Sequence, residues 1–210
     1  MDALNIEFEE LVAIAQSMFA RGYSFGTAGN ISIRHGDTIY ATPTGSSFGT
    51  LTVPALAPCD LDGKPLGPNK PTKEILFHLA AYRARPQSRA VVHLHSTYAT
   101  AAASLRDLDV EDALPAVTAY YAMRVPSLPT VPYLPPGDVG LALEVERLAR
   151  RTPAMLMRNH GSIAIGATLQ EAAALAEEIE ETARLYFLLG DRAQPLTTEQ
   201  IAELRRRFSQ

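Results

Sequence analysis

Apolar residues along the chain follow two rhythms, one recurring every three to four positions and one every two, and segments of each kind are interleaved. Residues 7–21 place Phe8, Leu11, Val12, Ala15, Met18 and Phe19 at helical spacing, and Gly22 follows as a stop. Ile31-Ser32-Ile33 and Ile39-Tyr40-Ala41 then alternate around His35-Gly36-Asp37, the composition of a hairpin turn. A proline-rich stretch leads to a second short hairpin around Asp62-Gly63-Lys64. Pro71 opens a helix over 72–85, with Ile75, Leu76, Leu79 and Tyr82 on one face and Pro86 just past its end. Ala90-Val91-Val92-His93-Leu94-His95 has the short, β-branched character of a buried strand, and the alanine-rich residues 97–105 return to helix. Further on, the pattern predicts strands at 130–133, 154–157 and 162–165 and helices at 139–150 and 169–189. Arg205-Arg206-Arg207 sits on a short amphipathic segment as a capping or solvated cluster, since cations favour the C-terminal end of a helix.

Helices interleaved with short strands define an α/β layer fold, and the closely spaced strands make part of its sheet antiparallel. A chain of 210 residues, 47% apolar and 20% charged, can bury one sizeable core, and no repeat, linker or low-complexity stretch divides it. A single domain over 1–210 is therefore expected. No segment reaches the roughly 18–20 uninterrupted apolar residues that span a bilayer, and Met1-Asp2-Ala3-Leu4-Asn5 lacks the basic-then-apolar pattern of a signal peptide. These features lead to the expectation of a soluble, cytoplasmic protein with no membrane partner. The formal charge of −4 argues against a general polyanion-binding surface, so nucleic acid is not an expected partner. The single cysteine, Cys59, excludes both an intrachain disulfide and a thiolate cluster. Beside Pro58, with no basic activator near it in the sequence, it reads as packing. Any metal must be held by histidines and carboxylates.

His93 and His95 are two residues apart on a predicted strand, which puts both imidazoles on one face, roughly 6–7 Å apart along the backbone. That spacing suits two ligands of one metal, and equally a pair of hydrogen-bonded core histidines. Catalytic zinc sites commonly take three protein ligands and keep one position open. A third is available in Arg158-Asn159-His160-Gly161, where a predicted strand ends and Gly161 lets the backbone turn sharply. Glu74, at the start of a predicted helix, is either an acid–base group or a first-turn residue complementing the helix dipole. His78, one turn later, reads as a packing or capping residue, and His35 as an exposed turn residue.

Gly29-Asn30-Ile31-Ser32, Thr42-Pro43-Thr44-Gly45, Pro71-Thr72-Lys73-Glu74, His93-Leu94-His95-Ser96 and Asn159-His160-Gly161 occur in an order and spacing that resembles the class II aldolase/adducin family. The resemblance covers about residues 7–190. It implies a central, mostly antiparallel sheet flanked by helices. It also implies one metal ion per subunit, zinc by preference with manganese, cobalt or iron as substitutes, on His93, His95 and His160. Glu74 is then the catalytic acid/base, able to ligate the metal itself when no substrate is bound. Asn30, Thr44 and Gly45 match positions that bind a substrate phosphate in the family. Thr72 and Lys73 add a hydroxyl, a cation and the amides of a helix N-terminus. The implied assembly is a homotetramer with active sites between subunits, and Tyr120 and Tyr121 are candidates for a substrate-facing residue.

Metal-stabilised enediolate chemistry serves aldol cleavage, epimerisation and decarboxylation alike. Only the periphery separates them. Thr72-Lys73-Glu74 places a cation where many sugar-phosphate aldolases of the family carry paired serines, and residues 197–210 contain no tyrosine to serve as a late proton donor. Together with the stretch from Leu114 to Val125, this looks like the decarboxylating branch. The implied substrate is a small phosphorylated sugar acid, a 3-oxo-tetronate 4-phosphate, converted to dihydroxyacetone phosphate and carbon dioxide. The alternatives are a sugar-phosphate aldolase, a ribulose-phosphate 4-epimerase, or a non-catalytic adducin-like interaction domain whose mark is loss of the metal histidines.

Overall fold

The two hydrophobic rhythms resolve into seven strands and seven α-helices among residues 3–208, the portion of the chain that the computed structural model describes. Met1, Asp2, Ser209 and Gln210, the ends of the expected 1–210 domain, lie outside the described residues. In chain order the elements are α1 (Ala3–Ala20), β1 (Asn30–His35), β2 (Thr38–Ala41), β3 (Ala57–Cys59), α2 (Ile75–Ala84), β4 (Ala90–Leu94), α3 (Thr97–Ala103), α4 (Ala119–Arg124), β5 (Thr130–Val131), α5 (Val139–Ala149), β6 (Ala154–Met157), β7 (Gly161–Gly166), α6 (Leu169–Leu189) and α7 (Thr198–Phe208). The strands form one sheet in the order β3-β2-β1-β4-β7-β6-β5. Every neighbouring pair is antiparallel except β5 with β6.

Two-residue alternation sorts the side chains onto the two faces of this sheet. Ile31 and Ile33 of β1 and Ala90, Val92 and Leu94 of β4 join the core under α1, α3 and α6. Val91, Ile163, Ile165, Met155 and Met157 join the opposite core, under α2 and α5. Asn30, Ser32 and His93, at the polar phases of the same alternation, therefore belong to the α2 side. The register fixes their meeting, because Asn30 is paired directly with His93, and His93 with Ile163.

Four local departures from the sequence pattern stand out, the first two of them at the site. The helix expected from residue 72 begins at Ile75. Thr72 Oγ1 accepts from the Glu74 amide at 3.2 Å and the Thr72 carbonyl from the Ile75 amide at 3.2 Å, so Thr72 and Lys73 form a turn before the helix. β4 ends at Leu94, leaving His95 one residue beyond it. The second hairpin shrinks to a single bridge between Cys59 and Pro65, closed by Asp60 Oδ1 accepting from the Asp62 and Lys64 amides. Residues 119–124 form a short helix, α4, that the pattern did not separate from its surroundings. Its end is capped from α7, where Arg205 donates to the carbonyls of Ala122, Val125 and Pro126. Arg206 and Arg207 instead pair with Glu203 on the surface.

The hairpin between β6 and β7 turns on Asn159, which has φ of 55°, while Gly161, expected to turn the backbone, is instead the first residue of β7 and has no positive φ. A Cβ on Gly161 would lie 2.1 Å from the Leu94 carbonyl oxygen, so only glycine lets β7 approach β4 this closely. Both contact partners are backbone and cannot swing away. Gly161→Ala is therefore expected to cost about 1–3 kcal/mol and to lower Tm by roughly 2–12 °C in a thermal melt, with the loss of metal affinity that a displaced His160 entails.

Candidate metal centre

Glu74, His93, His95 and His160 converge from four places in the chain, and one ligand atom from each lies within 4.8 Å of all the others. α2 delivers Glu74 at its N-cap, β4 delivers His93, the residue after β4 is His95, and the β6–β7 turn delivers His160. The rings of the three histidines pack edge-on, with centroids 4.6–4.9 Å apart. His93 Nε2 stands 2.8 Å from His95 Nε2 and 3.3 Å from Glu74 Oε2, while His160 Nε2 stands 3.2 Å from Glu74 Oε1. Tetrahedral zinc with bonds of 2.0–2.1 Å would hold such ligand atoms about 3.3 Å apart.

The hydrogen bonding around the cluster favours an ion between the four groups. His93 Nδ1 lies 2.8 Å from the Ser162 carbonyl oxygen, an acceptor, so Nδ1 carries a proton and Nε2 is the ring nitrogen left to ligate at the centre. A single proton on His95 Nε2 would satisfy that one contact. Glu74 Oε1, also buried, would still face only His160 Nε2, at 3.2 Å and off the line of a well-directed hydrogen bond. A divalent cation satisfies all four groups at once, and three imidazoles with a carboxylate suit zinc or a neighbouring first-row metal.

Electrostatics point the same way. Burial pushes the Glu74 carboxyl up, but the opposing pull of His93, together with hydrogen bonds from His160, His93 and Asn30, carries it well below the usual carboxylate range. Burial lowers the His95 imidazole to about 3, with His93 and His160 adding to the effect. Burial likewise lowers His78 to about 3, assisted by His93. At neutral pH His95 is therefore neutral and Glu74 ionised, the protonation states that ligation requires of them.

An open cavity of about 280 Å³ rises from the cluster. Its walls include Asn30, Thr44, Gly45, Thr72 and Lys73, all expected from the sequence, together with Glu74, His95 and His160. Thr27, Ser46 and Pro136 also line it and were not expected; the Thr44-Gly45-Ser46 run is the signal that could have revealed Ser46. Gly45 has φ of +73°, which gives the turn beside the cavity its shape. Two expectations change. The amides proposed to face a phosphate at the start of α2 are partly used, since the Glu74 and Ile75 amides donate to Thr72. Asn30 also has work inside the protein: its Nδ2 donates to Glu74 Oε2 at 2.8 Å and its Oδ1 meets His78 Nε2 at 2.5 Å.

Of the two tyrosines of which one was expected to face substrate, Tyr121 is turned away from the cavity of its own chain. It is buried in the core of α4, its hydroxyl donates to the Leu114 carbonyl at 3.4 Å, and burial raises its phenol. Tyr120, next to it, is exposed on the protein surface and does not line the cavity of its own chain. Cys59 is buried and its thiol is pushed up to about 11 by burial and by Asp60, which makes it unreactive packing. His35 sits at the exposed end of β1, 3.7 Å from Glu7.

A mostly antiparallel sheet between two helical layers, with one carboxylate and three imidazoles gathered at the edge of a polar cavity, defines the class II aldolase architecture. The family model for the Class II Aldolase and Adducin N-terminal domain matches residues 9–187, and the chain belongs to that family. A protein of Escherichia coli strain K12 named 3-oxo-tetronate 4-phosphate decarboxylase is 48% identical over 199 residues, 94% of each chain. The crystal structure of YgbL from Klebsiella pneumoniae matches with a TM-score of 0.93 at 43% identity, covering 96% of this chain and 98% of that one. An L-fuculose phosphate aldolase of Methanococcus maripaludis is 34% identical over 186 residues, 89% of this chain and 99% of the relative. No helix among the described residues is long and apolar enough to cross a membrane.

Two expected outcomes follow from this geometry. Metal analysis after dialysis should find close to one equivalent of divalent metal in the wild type and in His35→Ala, and less than about a tenth in His95→Ala or His160→Ala. Metal-free protein should lose stability on acidification. Below about pH 6.5 the unfolded chain protonates His78 and His95 while the folded chain does not, so the stability these groups contribute is full above that pH and falls toward pH 3. Ionised Glu74 adds a loss of the same sign below its ordinary range. Tm measured by circular dichroism from pH 7 to pH 4 should decline steadily, and a flat profile would contradict the burial of neutral imidazoles.

Proposed function

We propose that this protein is a zinc-dependent carbon–carbon lyase that decarboxylates a 3-oxo-tetronate 4-phosphate to dihydroxyacetone phosphate and carbon dioxide. The observation that carries the reading is Lys73. It is exposed, lines the cavity together with Glu74, His95 and His160, and makes no ion pair among the described residues. A free cation one residue from the acid–base carboxylate suits a substrate that is anionic at both ends. The decarboxylase relatives, 43–48% identical in four cases, support the same reading.

His93, His95 and His160 would hold the metal, with Glu74 as a fourth ligand before substrate enters. When bound, zinc supplies an electrophile that polarises the substrate ketone and takes up negative charge as carbon dioxide leaves. The chain's residues supply the rest. Thr44, Gly45 and Thr72 face the phosphate, and the second Nδ2 hydrogen of Asn30 is available to it. Lys73 holds the remaining anionic group. The bond between C1 and C2 breaks, C1 departs as carbon dioxide, and C2 takes a proton from solvent water, relayed by Glu74, to become the hydroxymethyl group of the product. Glu74 is ionised before and after the relay, and the water is left as hydroxide that solvent neutralises. The assembly we favour is a homotetramer in the cytoplasm with the active site at a subunit boundary, where the exposed Tyr120 of one subunit is able to face the substrate of the next.

The test is an assay of zinc-loaded protein with both C2 epimers of the substrate. Carbon dioxide and dihydroxyacetone phosphate should appear in equal amounts. Glu74→Gln should lower kcat at least about 100-fold, whereas Lys73→Met should act chiefly on KM, raising it about tenfold or more. Absence of carbon dioxide from either epimer, or release of an aldehyde from a ketose 1-phosphate at a higher kcat/KM, would replace decarboxylation with the aldolase reading.

A further inference from the structure

A line of buried polar groups runs from Glu74 away from the cavity, between α2 and β1. Glu74 Oε2 accepts from Asn30 Nδ2 at 2.8 Å, Asn30 Oδ1 meets His78 Nε2 at 2.5 Å, and His78 Nδ1 meets Ser32 Oγ at 2.8 Å. Ser32 Oγ in turn lies 2.8 Å from the Tyr82 hydroxyl, which also reaches the Ser32 carbonyl at 3.0 Å. Asn30, Ser32, Glu74, His78 and Tyr82 are all buried, and none of them pairs with a charged group of the surface. Ser32 and Asn30 occupy the polar phase of β1, and His78 and Tyr82 are one helical turn apart on the facing side of α2.

The chemistry of the donors and acceptors gives this line a direction. Glu74 Oε2 is an acceptor, so the Asn30 amide must present its nitrogen there and turn Oδ1 toward His78. Oδ1 accepts only, so His78 Nε2 carries the proton and Nδ1 is bare. Ser32 Oγ must then donate to Nδ1, which leaves the single hydroxyl proton of Tyr82 shared between Ser32 Oγ and the Ser32 carbonyl. The alternative amide orientation would set Asn30 Oδ1 against Glu74 Oε2, two acceptors at hydrogen-bond distance. A buried imidazole held neutral cannot compensate by taking a second proton. As a result the two oxygens of Glu74 differ. Oε2 is pinned by Asn30, while Oε1 makes no well-directed hydrogen bond and faces only His160, at 3.2 Å.

We propose that His78 is a positioning residue for Glu74: as the Nε2–H tautomer set by Ser32 and Tyr82, it locks the Asn30 amide, which anchors Oε2 and leaves Oε1 as the oxygen that exchanges a proton with substrate. The same lock fixes the second Nδ2 hydrogen of Asn30, so one amide serves both the carboxylate and the cavity. This rests on the reading of Glu74 as the proton-transferring group.

Two measurements test it. Nitrogen-15 NMR of the metal-free wild type at pH 7 should show His78 as a single neutral tautomer with the proton on Nε2. A proton on Nδ1, or an imidazolium, would overturn the proposal without any variant having to fold. In kinetics, His78→Leu should keep its full equivalent of metal and lose kcat by roughly 10–100-fold, as displaced supporting hydrogen bonds do. His78→Gln, whose amide nitrogen is able to donate to Asn30 Oδ1, should recover at least tenfold of a 100-fold loss. A Leu variant within twofold of wild type in kcat, or a Gln variant no better than Leu, would sink the proposal. Failure of the underlying reading looks different: Glu74→Gln would itself remain active, whatever substitution stands at residue 78.

Discussion

The structure turns on a single electrostatic constraint: an imidazole nitrogen, a second imidazole nitrogen 2.8 Å from it, a third imidazole and a carboxylate meet at the inner end of a cavity, two of the four groups buried and two partly buried. Four lone-pair donors cannot be packed together out of water unless positive charge lies among them. The fold provides for this convergence rather than merely tolerating it. Antiparallel pairing of β1 with β4 sets Asn30 opposite His93, the Ser162 carbonyl of β7 fixes the His93 tautomer, and the absence of a Cβ at Gly161 lets the turn bearing His160 close onto the end of β4. A tertiary contact supports the far side: Glu180 of α6 accepts from the Tyr98 and Ala99 amides and so caps α3, the helix that follows His95.

Much of this was legible from residue order alone. The period-two and period-3.6 patterns located α6 to the residue and placed β6, β1 and β2 within one position or two, because those segments are long or strongly patterned. The His-x-His pair and the Asn-His-Gly turn identified the histidines. What the pattern could not carry was tertiary. The late start of α2 depends on the Thr72 hydroxyl competing for the Glu74 amide, and the early end of β4 depends on where β7 stops pairing.

The surroundings of two residues were not legible locally. Tyr121 points into the core and its hydroxyl donates to the Leu114 carbonyl. His78, read as packing, is indeed fully buried, yet it sits at the middle of a polar line that ends on Glu74. A pair of polar residues at alternate positions of an otherwise apolar strand, Asn30 and Ser32, was the available hint that β1 faces polar groups on α2.

The most direct measurement of the central claim is zinc K-edge X-ray absorption on protein loaded with one equivalent of zinc and no substrate. The account predicts three imidazole nitrogens and one carboxylate oxygen at about 2.0–2.2 Å, with no sulfur. A spectrum with fewer than three imidazoles, or with a sulfur scatterer, would mean that the four groups do not share one ion.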